Sequence, residues 1–159
     1  MTMASRDWPA KNLQNLERIG RLRAEPADAG EVLRYLVSAD QFLADARNNT
    51  INVATRFLTA YSAAHALAVA ALRANDYRTA QERGHRRLMF EILPHSCDAQ
   101  SADALALVRA HEKRNELEYE ALAEITEREV ADLVGIAARL RENVQAWLKR
   151  HRPELPRKK

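Results

Sequence analysis

Apolar residues recur every three or four positions along most of the chain, and no stretch alternates convincingly between apolar and polar residues. The first spacing is that of an amphipathic α-helix and the second that of a β-strand, so the pattern predicts an all-α protein. The third predicted helix is the most apolar, and its small side chains would let neighbouring helices approach closely. Its inward stripe consists of Val53, Phe57, Ala60, Ala64, Leu67 and Ala71.

Residues that cap or break helices divide the pattern into six helices. Asp28 with Glu31 resembles a capping box for the second helix, and Thr126 with Glu129 forms the clearest box, before the last helix. The other start signals are Pro9 in the first turn of a helix that opens at Asp7, Thr79 with Glu82 before a short fourth helix, and Ser101 before the fifth.

Five long helices and one short helix, joined by short connections, predict an up-and-down bundle around a single core. The sequence shows no internal repeat and no second domain. We therefore expect one helical domain over residues 1–150, followed by a basic tail at 151–159. The residues expected to face the core include Ile19 in the first helix and Val37 and Phe42 in the second.

Composition indicates a soluble globular protein, because 47% of the 159 residues are apolar and 30% are charged. The single cysteine, Cys97, excludes an intrachain disulfide and favours a reducing compartment. No apolar run approaches the roughly 20 residues of a membrane span, and the N-terminus lacks an apolar signal core. These features predict a cytoplasmic protein without a membrane partner. The net charge of +3 is weak evidence for nucleic-acid binding, since part of it lies in the tail.

Several familiar kinds of active site are missing from the sequence. The four scattered glycines do not form a phosphate-binding loop, and no serine lies in a nucleophile elbow. The Glu-x-x-His pairs of di-iron bundles are absent, and no two histidines are spaced as metal ligands on one helix face. We therefore expect no metal and no cofactor. The five histidines are His65, His85, His95, His111 and His151.

The fifth helix gathers polar side chains of several chemical types. At 100° per residue, His111, Asn115 and Glu118 fall within about 60° of one another. Arg114 lies alongside them, and Tyr119 follows Asn115 by one turn. One interpretation is a solvated surface stabilised by an Arg114–Glu118 pair, which the periodicity alone favours. The other is a binding site.

Two further segments give this helix a context. Residues 56–79 join the alanine-rich helix to a Tyr77–Arg78 pair, and the sequence GHRRL follows at 84–88. With RNELEY at 114–119, this order of motifs resembles the HEPN superfamily, especially its small stand-alone bacterial members. The resemblance covers about residues 50–150 and depends on the order and spacing of short motifs.

The resemblance implies a bundle of four or five helices that forms a homodimer and binds RNA or a nucleotide in a toxin–antitoxin or stress-defence system. Many such proteins are metal-independent ribonucleases with a motif of Arg, a polar residue, three variable residues and His. Arg114 and Asn115 match the first two positions, whereas Tyr119 stands where the His is expected. The nucleic-acid- or nucleotide-binding residues that we expect are Arg78, His85, Arg86 and Arg114.

The departure at Tyr119 affects catalysis, because a phenol that titrates near 10 is a poor base at neutral pH. His111 precedes Arg114 by one turn and is a candidate replacement, and His85 is another. The candidate catalytic residues are therefore Arg114, Asn115, Tyr119 and His111.

Each of these residues also has a structural interpretation. His85 can anchor a loop, while Tyr77 and Arg78 can pack at a helix end and interact with its dipole. The competing function is a non-catalytic helical module that binds a protein partner such as a nucleotidyltransferase, for which the tyrosine near the Arg motif would be the modified residue.

Overall fold

The computed structural model describes residues 8–80, 84–119 and 124–155, and of Tyr119 only the backbone. This part of the chain is mostly helical, so the all-α prediction is confirmed. Its elements are α1 (Lys11–Arg18), β1 (Leu22–Ala24), α2 (Ala29–Ala46), α3 (Val53–Ala74), β2 (Tyr77–Thr79), α4 (His85–Glu91), α5 (Leu93–Ser96), α6 (Ser101–Tyr119) and α7 (Glu127–His151).

The number of long helices differs from the prediction. Within the described ranges four helices are long (α2, α3, α6 and α7) and three are short, instead of five long helices and one short one. The predicted first helix shrinks to the eight residues of α1, which begins at Lys11, after Pro9. Its predicted start at Asp7 lies outside the described residues.

Helix α3 forms the centre of the core and packs mainly against α2 and α7. Its alanines at 60, 64 and 71 are fully buried, as the small-residue stripe predicted. By length and composition alone α3 is apolar enough to cross a membrane, but 72% of its apolar window is buried inside the protein. A buried core helix has the same composition.

The capping predictions are partly confirmed. Thr126 and Glu129 form the predicted box, with each side chain accepting a backbone N–H at 3.1 Å. Asp28 caps α2 by accepting the N–H of Gly30 at 3.0 Å. The second half of that predicted box is wrong, because the Glu31 carboxylate binds arginines instead of the N-cap backbone.

The predicted cap of the fourth helix is also wrong. Thr79 lies in β2, and α4 begins after Gly84, whose φ of 71° falls in the left-handed region that favours glycine. Glu82 lies outside the described residues.

Two short strands are absent from the sequence prediction: β1 follows α1, and β2 follows α3. They pair antiparallel, with Leu22 opposite Thr79 and Ala24 opposite Tyr77. A strand of three residues is too short to show a two-residue alternation. The pairing holds the chain that precedes α2 against the end of α3.

Arg73, near the end of α3, is only 1% exposed and fixes this junction. Its guanidinium donates to the Glu31 carboxylate at 2.8 Å and to the backbone carbonyls of Glu25, Pro26 and Tyr77 at 2.7–3.0 Å. Burial alone would raise the pKa of Glu31, but hydrogen bonds from Arg73 and Arg78 hold it below its ordinary value. The buried charge of Arg73 is therefore paired with the carboxylate of Glu31, because an unpaired charge would be too costly to bury.

Three residues that were expected to face the core are exposed instead. Ile19 is 69% exposed because it lies just beyond the last residue of α1. Val37 (47%) and Phe42 (36%) lie on α2 outside the strip that α3 and α7 cover. Val37 borders a groove of about 430 Å³ between α2 and α7.

Replacing Arg73 with methionine should lower the free energy of unfolding by about 3 kcal/mol or more, because Glu31 and three carbonyls lose a buried partner. Urea denaturation measures this change. The matched control is Arg23→Met, which removes a 60%-exposed arginine from Glu25 and should leave stability nearly unchanged. Equal effects of the two substitutions would contradict the structural role of Arg73.

Candidate functional site

The structure brings together three of the predicted site residues on one face of α6. His111, Arg114 and Asn115 are each half-buried. His111 contacts Tyr61 of α3 and Phe90 of α4, and the Arg114 guanidinium lies over the Tyr61 ring. A face that only contacted water would not be covered by two aromatic rings from other helices. We call His111, Arg114, Asn115 and Tyr61 the α6 cluster.

A chain of hydrogen bonds runs from Arg114 through Asn115 and His111 to Tyr61. Arg114 Nη1 lies 3.4 Å from Asn115 Oδ1, and Asn115 Nδ2 lies 3.4 Å from His111 Nε2. Because a guanidinium only donates, it orients the Asn115 amide with its NH₂ group toward His111. His111 Nε2 must then accept, so its proton is on Nδ1, which donates to the Tyr61 hydroxyl oxygen at 2.9 Å.

Tyr61 is also the central ring of a group of aromatic side chains. It stacks on His111 with 6.1 Å between ring centroids and on His65 with 6.4 Å, and Phe90 meets its edge at 5.7 Å. The Arg114 guanidinium carbon lies 5.5 Å from the centre of the Tyr61 ring, within cation–π range. Sequence reasoning missed Tyr61, although Tyr61 and His65 are one helical turn apart on α3.

The electrostatic surroundings keep His111 neutral. Burial lowers its pKa, the positive charges of Arg114, Arg86 and Arg87 lower it further, and the negative charge of Glu112 acts in the opposite direction. A neutral imidazole agrees with the hydrogen bonds, which require a lone pair on Nε2. At neutral pH His111 therefore has a nitrogen able to take up a proton.

His65 is a second buried imidazole beside the cluster. Burial is the largest cause that lowers its pKa to about 4, and the nearby charges of Arg86, His85, Arg114 and His111 act in the same direction. Its Nε2 is buried without a hydrogen-bond partner in the described part of the chain. An unsatisfied buried polar atom costs about 1–3 kcal/mol, and such atoms are rare in a packed core.

The Arg114–Glu118 pair of the surface interpretation is also present, with 2.9 Å between the charged groups. The Glu118 side chain is 46% exposed, whereas that of Arg114 is 22% exposed. Arg114 therefore has both a solvent-facing partner and a side turned toward Asn115 and Tyr61. An incoming anion would compete with Glu118 for the guanidinium.

The other predicted binding residues are placed differently. Arg86 lies on α4, and its charge acts on both His111 and His65. His85 begins α4 and borders a cavity beside His65. Arg78 borders the same cavity, but its guanidinium binds Glu25 at 2.7 Å and Glu31 at 3.0 Å.

Two tyrosines that the sequence analysis singled out remain to be placed, Tyr77 and Tyr119. Tyr77 is buried and donates to Glu17 at 3.0 Å, and burial followed by that hydrogen bond raises its pKa to about 12. This agrees with packing at the end of α3. The side chain of Tyr119 lies outside the described residues, so its predicted role stays a prediction.

Across residues 8–80, 84–119 and 124–155, no three His, Cys, Asp or Glu side chains converge as metal ligands would. No protein-family model, curated protein or solved structure matches this chain. The function of the α6 cluster therefore has to be inferred from its own chemistry.

Stability should fall as the pH is lowered from about 6.5 to about 4, because the unfolded chain protonates His65 in this range while the native protein does not. His65 alone should remove on the order of 3 kcal/mol over this interval. Urea denaturation of His65→Leu at several pH values should give a flatter profile than that of the wild type.

Val69→Ala, one turn further along α3, is the matched control for this experiment. It has no titratable group, so it should lower stability by the same amount at every pH. A His65→Leu profile parallel to that of the wild type would show that His65 titrates normally.

Proposed function

We propose that the protein is a HEPN-like RNA-binding protein that cleaves RNA at the α6 cluster without a metal ion. The observation that carries the proposal is the joining of a neutral His111 to Asn115 and Arg114 on one half-buried face. This face combines a base with a cation that can hold a phosphate, which are two of the groups that metal-free RNA cleavage needs.

His111 supplies the proton acceptor in this proposal. The 3.4 Å contact from Asn115 to Nε2 is long, so a ribose 2′-hydroxyl can take the place of the amide. Nε2 accepts the hydroxyl proton while the 2′-oxygen attacks the adjacent phosphorus. The bond to the 5′-oxygen breaks, and that oxygen takes a proton from a water molecule. The hydroxide so formed takes back the proton held on Nε2, and the products are a 2′,3′-cyclic phosphate and a 5′-hydroxyl.

Tyr61 acts as a positioning residue. Its hydroxyl accepts the Nδ1 proton of His111 and thereby keeps the lone pair on Nε2, where the substrate would approach. Stacking of the two rings restricts rotation of the imidazole. A base fixed in this way needs little reorganisation when the proton moves.

Arg114 holds the phosphate in this proposal. Its guanidinium offers two parallel N–H groups to phosphate oxygens, at the expense of its exposed partner Glu118. Arg86 adds positive charge, as its effect on the pKa of His111 indicates. The net positive field around the two imidazoles favours an anionic ligand.

The wider role follows the resemblance: a toxin–antitoxin or stress-defence protein that acts as a homodimer. In a dimer two α6 clusters would line one basic groove. Sedimentation velocity at micromolar concentration is expected to show a dimer, and a monomer would remove this part of the proposal.

The central experiment incubates the protein with end-labelled single-stranded RNA in excess EDTA. We expect cleavage that leaves 2′,3′-cyclic phosphate ends. His111→Gln should lower the rate by about 100-fold or more because it removes the base. Arg114→Ala should weaken RNA binding by about tenfold or more because it removes a charged donor.

Arg109→Ala is the matched control, since Arg109 is an exposed arginine on the same helix that forms no part of the cluster. It should cleave like the wild type. The acid limb of the rate profile should lie below pH 6.5, in keeping with the lowered pKa of His111. If the wild type neither binds nor cuts RNA, the proposal is wrong and the non-catalytic interaction module becomes the function to test.

A further inference from the structure

A cavity of about 200 Å³ opens beside His65, between α2, α3, β2 and α4. Its walls include three aromatic side chains, those of Tyr35, His65 and His85. Val69, Leu72 and Met89 add apolar surface. The volume is below the range of drug-sized ligand sites and suits one small planar ring.

The charges around the cavity are balanced, which argues against a phosphate as its ligand. Arg73 and Arg78 border it, but both guanidiniums bind the carboxylate of Glu31, and Arg78 also binds that of Glu25. Two cations thus face two anions. Arg114, by contrast, has a single carboxylate partner among the described residues, and that partner is exposed.

The cavity also adjoins the α6 cluster through stacked rings. The His65 ring borders the cavity and lies parallel to Tyr61, with 8° between the ring planes. Tyr61 in turn binds His111 at 2.9 Å. A nucleotide with its phosphate at Arg114 therefore has a cavity with aromatic walls within the same region of the fold.

We propose that this cavity binds a nucleobase of the RNA, stacked among Tyr35, His65 and His85. The reasoning combines its size, its aromatic walls and its balanced charge, since bases stack on aromatic side chains whatever their sequence. This inference rests on the proposed function for its choice of ligand. It adds a base-binding subsite to a site otherwise defined by the ribose and phosphate.

Free nucleosides test the cavity without the phosphate site. Adenosine, guanosine, cytidine and uridine would each be titrated into ¹⁵N-labelled protein, with ribose 5-phosphate as the probe that lacks a base. Val69→Phe fills the cavity, and Tyr35→Ala removes a stacking wall without adding bulk. Val37→Phe is the matched control, because Val37 borders the separate groove between α2 and α7.

We expect at least one nucleoside to bind the wild type and Val37→Phe equally, and to bind Val69→Phe and Tyr35→Ala at least about tenfold more weakly. Arg114→Ala should leave nucleoside binding unchanged and weaken ribose 5-phosphate binding. The ¹H–¹⁵N spectrum of each variant should show the signal dispersion of a folded protein, so that a loss of nucleoside binding reports a local change at the cavity.

The two proposals fail in different ways. Nucleoside binding that is absent from the wild type, or unaffected by both cavity variants, overturns the base-binding site even if RNA is cleaved. Nucleoside binding that depends on the cavity, in a protein that neither binds nor cuts RNA, supports the cavity and overturns the proposed function.

Discussion

Close packing of α3 is the constraint on which the rest of the structure depends. Alanines along this helix let α2 and α7 approach its backbone, so that nearly its whole length is buried. Apart from the Nε2 atom of His65, which has no hydrogen-bond partner in the described part of the chain, the buried polar side chains on α3 find a partner inside the protein. Arg73 does so through Glu31 and three carbonyls, and Tyr61 does so through His111. The candidate site thus follows from the way in which the core accommodates its polar groups.

The surroundings of Arg73 and of Tyr61 on α3 accommodate polar groups in chemically different ways. Near Arg73 the charges are paired, which holds β2 and the start of α2 in place. Near Tyr61 the imidazoles are neutral and the neighbouring arginines keep them so. The first arrangement stabilises the fold, whereas the second leaves a proton acceptor and a cation beside each other, which suits chemistry on an anionic substrate.

Local patterns in the sequence predicted the long helices and the caps at Asp28 and Thr126, because each depends on residues within one or two turns. They also predicted that His111, Arg114 and Asn115 share a face, since one helix carries all three. Tyr61 could not be assigned to this site, because it meets His111 across 50 residues of chain. The same limit applies to Glu31, which its spacing placed in a capping box but which binds arginines of α3 and β2.

The proposed chemistry depends on a His111 that is neutral at pH 7, with its proton on Nδ1 and its lone pair on Nε2. Long-range ¹H–¹⁵N correlation spectra of the imidazole nitrogens test it directly, with His111→Gln identifying the signals. We expect a protonated Nδ1, an unprotonated Nε2 and a titration midpoint below 6.5. A doubly protonated ring at pH 7, or a neutral ring with its proton on Nε2, would contradict it.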